Sequence, residues 1–407
     1  MGFKSISSLI AVFMFYTCID PFNPQIRGYE SLLVVDGLIT DSNSSYYVKL
    51  SRTVQKQDAK PVMVSNATVS ITDDAGNNSY LENIGNGVYR TDSLDFIGLA
   101  GRTYILHITT AEREEYESEA CLMQPGAGID TIYFLKDNEL VNNGTETLEG
   151  IRIFLDSKEG GTDSYYKWDF EETWKFKIPN PKKYDFIPED TVFVPHAPIN
   201  EFCWKYRKSD EIMIHSALTD ESGGLENFPF YFIPSDKSDR LLMQYSILVR
   251  QHSISKKEYE FWNNIKQLNE AGDDIFGKEP YPVDGNIRNI NNPGEKVLGY
   301  FQVSSVREKR REIPFSEISD LNLPYYHYPC TRIEMAPEDY PRSPYSPPFT
   351  WNDLYEMYCI TSDYYLVEPK YKPGTNELEK MVFTRPECAD CEMTGTLIKP
   401  EFWTDLQ

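Results

Sequence analysis

The chain has 407 residues, more than one hydrophobic core ordinarily holds, so two domains are expected. Its 40 basic and 63 acidic residues leave a net charge of −23 at neutral pH. That balance argues against nucleic acid as a partner, because phosphate neutralisation needs clustered Lys and Arg; the one basic run, Arg307 to Arg311, contains Glu308 and reads as a solvated strand end.

The first element is an export signal. Lys4 supplies a positive start, and Ile6 to Thr17 is an apolar run of 12 residues. A bilayer-spanning helix takes about 20, so the run fits a signal peptide over residues 1–17. Ile6 stands where a myristoylation signal needs Ser or Thr. Cys18 follows at the position that carries lipid in a bacterial lipoprotein. Thr17 before it is small, although Phe15 and Tyr16 depart from the usual Leu and small residue. The expectation is a lipid on Cys18 and an anchoring linker over 18–29; an ordinary signal peptide, with Cys18 unmodified or paired, is the alternative. Removing residues 1–17 leaves 39 basic against 63 acidic residues, a net of −24. No second apolar stretch of membrane length follows, so membrane attachment is expected through Cys18.

Residues 30–125 read as about seven short strands, the size and spacing of an immunoglobulin-like β-sandwich. Leu32 to Ile39 is a β-branched run closed by Thr40-Asp41-Ser42-Asn43. Tyr46 to Leu50 and Ala67 to Thr72 alternate, Asn86-Gly87 is a type I′ hairpin signal, and Tyr104, Leu106 and Ile108 fall on one face. The Cys…Trp…Cys core of an antibody domain is absent. Residues 126–407 are expected to form a larger β-rich domain. There Tyr166, Trp168, Phe170, Glu172, Trp174 and Phe176 recur with period two, which predicts a sheet face, with a ligand-stacking platform as the alternative. Residues 177–200, with five prolines and no period, read as a long loop. Strands are expected over Glu211 to Ser216, Leu241 to His252 and Val297 to Val306. Ser255-Lys-Lys-Glu258 is a capping box, and Tyr259, Trp262 and Ile265 at helical spacing predict the main helix over 255–268, anchored by Trp262. Asn291-Asn292-Pro293-Gly294 suits a type II turn. Residues 313–351 are rich in proline and aromatics.

The order of VVDGLITD (34–41), GNGVY (85–89), GRTYILHI (101–108), YSILVRQHSISKKEYEFW (245–262), DGNIRNINNPGEKVLGYF (284–301) and CADCEMTGTLIKPEFW (388–403) resembles the domain of unknown function 4249 family. The resemblance extends from about Cys18 to Trp403. It implies an outer-membrane lipoprotein of the Bacteroidetes kind, encoded beside a TonB-dependent receptor, with an accessory role in nutrient uptake. It implies no catalytic residue, and it strengthens the expectation of a lipid on Cys18.

The residues themselves carry no recognisable enzyme motif. His107, His196, His215, His252 and His327 form no H-E-x-x-H pair, and no G-x-S-x-G, Walker A or G-x-G-x-x-G pattern occurs. Carboxylates are so numerous that chance pairs say little about glycoside hydrolysis, and Asp273-Asp274 is at most an incidental calcium loop. No metal, cofactor or catalytic residue is assigned. Apart from Cys18 there are six cysteines: Cys121, Cys203, Cys330, Cys359, Cys388 and Cys391. Cys388-Ala-Asp-Cys391 lacks the second knuckle of a closed zinc site and the following helix of a thioredoxin-like motif. In an exported chain disulfides are the default, so Cys388 and Cys391 are expected in bridges, one of them with Cys330; zinc is the alternative, and connectivity is left open. The candidate binding surface is aromatic, with Tyr325, Tyr326, Tyr328, Tyr345 and Trp351 as a stacking surface for sugars or a rigid docking edge for another protein; the competing reading is that they cover a sheet. The sequence thus reads as a non-enzymatic lipoprotein of the outer membrane, on a face left open, beside a TonB-dependent receptor. A stand-alone glycan or peptide binder is the first alternative and a hydrolase the second.

Overall fold

The computed structural model describes residues 31–55, 60–92, 96–157, 164–217, 224–271, 283–340 and 347–406. Residues 1–17, Cys18, the linker 18–29, Tyr345 and Asp273-Asp274 lie outside them. The described chain is mainly β, with few helices.

The first strands are β1 (Leu33–Thr40), β2 (Tyr47–Arg52), β3 (Thr68–Asp73), β4 (Glu82–Gly85), β5 (Val88–Arg90), β6 (Thr103–Thr109) and β7 (Glu115–Ser118). Asn86 and Gly87 join β4 to β5 with φ of 50° and 69°, the doubly positive pair that a type I′ turn demands. The next strands are β8 (Ile129–Val141), β9 (Glu146–Ser157), β10 (Tyr165–Lys177), β11 (Phe202–Lys208), β12 (Met213–Ser216), β13 (Leu225–Pro234) and β14 (Tyr245–Ile254). Helix α1 (Lys256–Ala271) follows, then β15 (Ile287–Asn289), β16 (Leu298–Ile313), β17 (Tyr365–Tyr371) and β18 (Leu378–Thr384).

A ten-stranded sheet runs β11-β10-β14-β16-β1-β2-β5-β4, with β12 on β10 and Val62–Met63 on β2. Strand β16 is its centre. Its first half pairs in parallel with β1, from Val34↔Leu298 to Thr40↔Ser304. Its second half pairs antiparallel with β14, from Ser253↔Ser305 to Tyr245↔Ile313. The sheet therefore crosses the boundary expected near residue 125. Leu33, Val35, Val48 and Leu50 of this sheet meet Val69, Ile71, Leu106 and Ile108 of a second sheet, and the same core takes in Ile287, Val297, Phe301 and Val303. Parallel pairing needs a long crossover, and local strand spacing carries no trace of one.

The period-two face of β10 packs as its pattern predicts. Tyr166, Trp168, Phe170, Trp174 and Phe176 are buried against Ile151, Ile153 and Leu155 of β9 and Phe230 and Ile233 of β13. The stretch read as a loop, 177–200, instead holds a ribbon of Tyr184–Ile187 with Val192–Pro195. Its prolines sit at the ribbon's end and beyond it, where a missing N–H is tolerated. Phe186 and Phe193 of this ribbon join a small core with Leu354, Leu366, Met381 and Phe383, over a sheet of Ile333–Met335, β18 and β17 that the sequence did not announce. The turn at Asn292 closes through Glu295 N–H to the Asn292 carbonyl at 3.0 Å. Gly294 does not take the positive φ that a type II turn requires, so the turn is of another type.

Candidate functional site

The cysteines tie the C-terminal segment to the sheet. Cys330 pairs with Cys388, and Cys391 pairs with Cys203 rather than with its neighbour in the motif. Cys203 was the partner that spacing could not single out. Backbone bonds line the same seam: Cys391 N–H to Asn200, Asn180 N–H to Cys388, and a reciprocal pair between Trp204 and Thr396. Cys121 and Cys359 remain thiols. Burial pushes them up to about 12 and about 11, which makes both poor nucleophiles.

The aromatic segment does not come together as one face. Tyr326 and Tyr328 meet edge to face at 5.2 Å, and the Tyr328 hydroxyl donates to Asp239 at 3.1 Å. Tyr325 is 58% exposed and touches only the ring of His327 among the described aromatic contacts. Trp351 lies elsewhere, packed on the small C-terminal core beside Tyr355. Covering a sheet is what Trp351 does; Tyr325 alone of these is a projecting ring.

A polar network occupies the outer face of the central strands. His252 on β14 bridges Asp169 on β10, at 2.9 Å from Nε2, and Ser304 on β16, at 3.0 Å from Nδ1. Burial would raise the Asp169 carboxyl, but His252 and Arg250 outweigh it and hold it below the usual range. These are the residue types of an acyl-transfer triad. Ser304, however, is fully buried, so its hydroxyl cannot meet a substrate. The set works as a staple across three strands.

One step along the same face, Glu258 departs from the capping role its spacing suggested. Ser255 does cap α1, its Oγ accepting from the Glu258 N–H at 3.2 Å. The Glu258 side chain turns inward, 2% exposed, next to the point where β14 leaves the sheet and exposes the backbone of β16. It accepts from the Val303 N–H and faces Lys167. Burial raises its carboxyl to about 7, with Lys167 the chief opposing influence. Burial likewise lowers Lys167, whose Nζ donates to Gln302 at 2.7 Å and sits 4.2 Å over the Trp262 ring. The Trp262 indole N–H approaches the Glu258 carboxylate without forming a complete hydrogen bond.

On the inner face, the fully buried Glu172 accepts from Tyr245 at 2.8 Å and from Arg240 at 2.9 Å, with Arg207 at 3.4 Å. A cleft of about 550 Å³ opens where β12 ends the sheet, lined by Trp168, Met213, Phe228 and Phe230, with Asp210, Glu211, Lys266 and Glu270 at its rim. Of its residues the sequence offered only Trp168, within the alternative stacking platform on β10, because the cleft is assembled from four separate segments.

A family model described as a domain of unknown function (DUF4249) matches residues 19–310, well over half of the chain. The chain belongs to the DUF4249 family. The DUF4249 match ends inside β16, so the small C-terminal sheet, Cys330, Cys388 and Cys391 lie beyond it, as does the 388–403 motif. The cleft and both polar networks fall within it. No curated protein matches the chain.

Proposed function

We propose that this DUF4249 protein is a non-catalytic accessory protein held on the outer membrane by a lipid on Cys18, where it partners a TonB-dependent receptor in nutrient uptake. The observation that carries the reading is the pairing of four cysteines into two bridges, across 188 and 58 residues of sequence. Such bridges persist outside the reducing cytosol. They accord with the apolar run that ends at Cys18 and with the seam that locks the C-terminal segment onto the sheet.

Two measurements test it. Cys18→Ser should move the protein from the membrane fraction to the soluble one without changing its melting temperature. Purification of the unaltered protein in mild detergent should bring down a receptor in stoichiometric amount. Membrane retention of the folded variant would end the lipid reading, and a monomer without receptor would end the partnership. The cleft beside β12 favours a second reading, a stand-alone lipoprotein that binds a glycan or peptide; affinity for such a ligand without any receptor would establish it.

A further inference from the structure

We propose that the cleft beside β12 is a binding site for a small organic cation carried on an apolar stem. Three groups of apolar side chains line it, beside charged and amide groups. Trp168 and Met213, paired across β10 and β12, form one wall. Phe228 and Phe230 of β13 form the second, with the Phe228 ring lying 5.0 Å from Trp168 and 4.8 Å from His215. Ile212 and Ile214 close the third. An alkyl or aryl stem of drug-like size fits the volume of about 550 Å³ and would lose its water-exposed surface there.

The rim selects the charge. Asp210 and Glu211 enter from the turn before β12 and Glu270 from the end of α1, against the single base Lys266. Asp210 has a partner in Arg207 at 3.3 Å. Glu211 and Glu270 have no ion pair among the described residues. The last turn of α1 carries no basic residue, so the partial negative charge of its terminal carbonyls adds to that of Glu270. Burial lowers the affinity of His215 for protons, so the ring behind Phe228 stays neutral and does not oppose a cation. At longer range the net charge of −23 draws cations and repels anions. An ammonium or guanidinium at the rim would meet two carboxylates while its stem lies against the apolar side chains.

The inference is independent of the membrane anchor and of any receptor. Its test uses the full chain and three probes of one length: hexylamine, hexanol and hexanoate, titrated by calorimetry at low and high salt. Hexylamine should bind at least tenfold more tightly than hexanol, hexanoate should not bind, and added salt should weaken the amine alone. Glu211→Gln combined with Glu270→Gln, both exposed positions, should bring hexylamine down to the level of hexanol with an unchanged melting temperature. Equal binding of amine and alcohol, unaltered amine affinity in the double variant, or no amine binding at millimolar concentration would each overturn it.

Discussion

Glu172 and Glu258 are both buried carboxylates, and they differ in what neutralises them. Glu172 has two guanidinium groups and a tyrosine hydroxyl around it. Removing one partner of such a buried set leaves the others desolvated and unpaired, which costs about 3–5 kcal/mol. Glu172→Ala should lower urea-measured stability by that amount, whereas Glu172→Gln, which keeps an acceptor for Tyr245, should cost less. Glu258 has one largely buried lysine and a backbone N–H. Its folded pKa of about 7 lies above the 4.5 of the unfolded chain. A raised carboxyl pKa favours the fold fully below the unfolded value, and that contribution is lost as pH rises through the folded one. The loss amounts to roughly 3 kcal/mol between about pH 4.5 and 7. Lys167, lowered by burial, acts with the opposite sign on the alkaline side. Glu258→Gln should flatten the decline in stability over the acidic-to-neutral range while keeping the Val303 hydrogen bond. Parallel stability-versus-pH curves for the two proteins would exclude this account.

At the level of single elements, strands with one covered face follow their alternation closely, whereas the central β14 and the first half of β16 are buried on both faces and lose it. Tyr104, Leu106 and Ile108 are buried together on β6, as their spacing requires. Helix α1 shows where such reading stops. Periodicity places it correctly, but Phe261 and Trp262 are adjacent and both border the apolar stripe. Phe261 is the one buried, 4.7 Å from the Tyr300 ring, while Trp262 is partly buried and carries Lys167 on its face. Phe261→Ala should therefore cost about 3–5 kcal/mol, the range for truncating a buried large aromatic, and Trp262→Ala distinctly less. Hydrogen exchange of the α1 amides should accelerate far more in the first variant. The reverse order would restore Trp262 as the anchor. The cleft was beyond such reading altogether: Asp210, Phe228 and Glu270 are ordinary residues until β12, β13 and α1 converge.

For the whole molecule, the covalent seam and the shared sheet make different demands. The Cys203–Cys391 bridge spans 188 residues and the Cys330–Cys388 bridge 58. In the chain-entropy account the longer loop stabilises more, by about 1 kcal/mol for this ratio. Replacing both cysteines of the longer bridge by Ala should thus lower the melting temperature further than replacing those of the shorter one. Equal losses would mean that packing at the seam, and not loop closure, sets what each bridge contributes.

The shared sheet bears on whether residues 30–125 can fold alone. Their core is completed by Phe301, fully buried, and by Val303 and Ile287, all from beyond residue 283. Without β16, β1 loses its parallel partner along the whole of Val34 to Thr40, and the inner side chains of both sheets lose a wall. A β structure with an open apolar edge lacks the burial that offsets chain entropy. Residues 18–125 expressed alone should give a poorly dispersed amide NMR spectrum and no cooperative thermal transition. Appending residues 283–306 through a flexible linker should restore both, since these supply β15, the first half of β16 and the missing core residues. A well-dispersed spectrum from 18–125 by itself would show that the strand from the far end of the chain is an addition to a finished sandwich rather than a part of it.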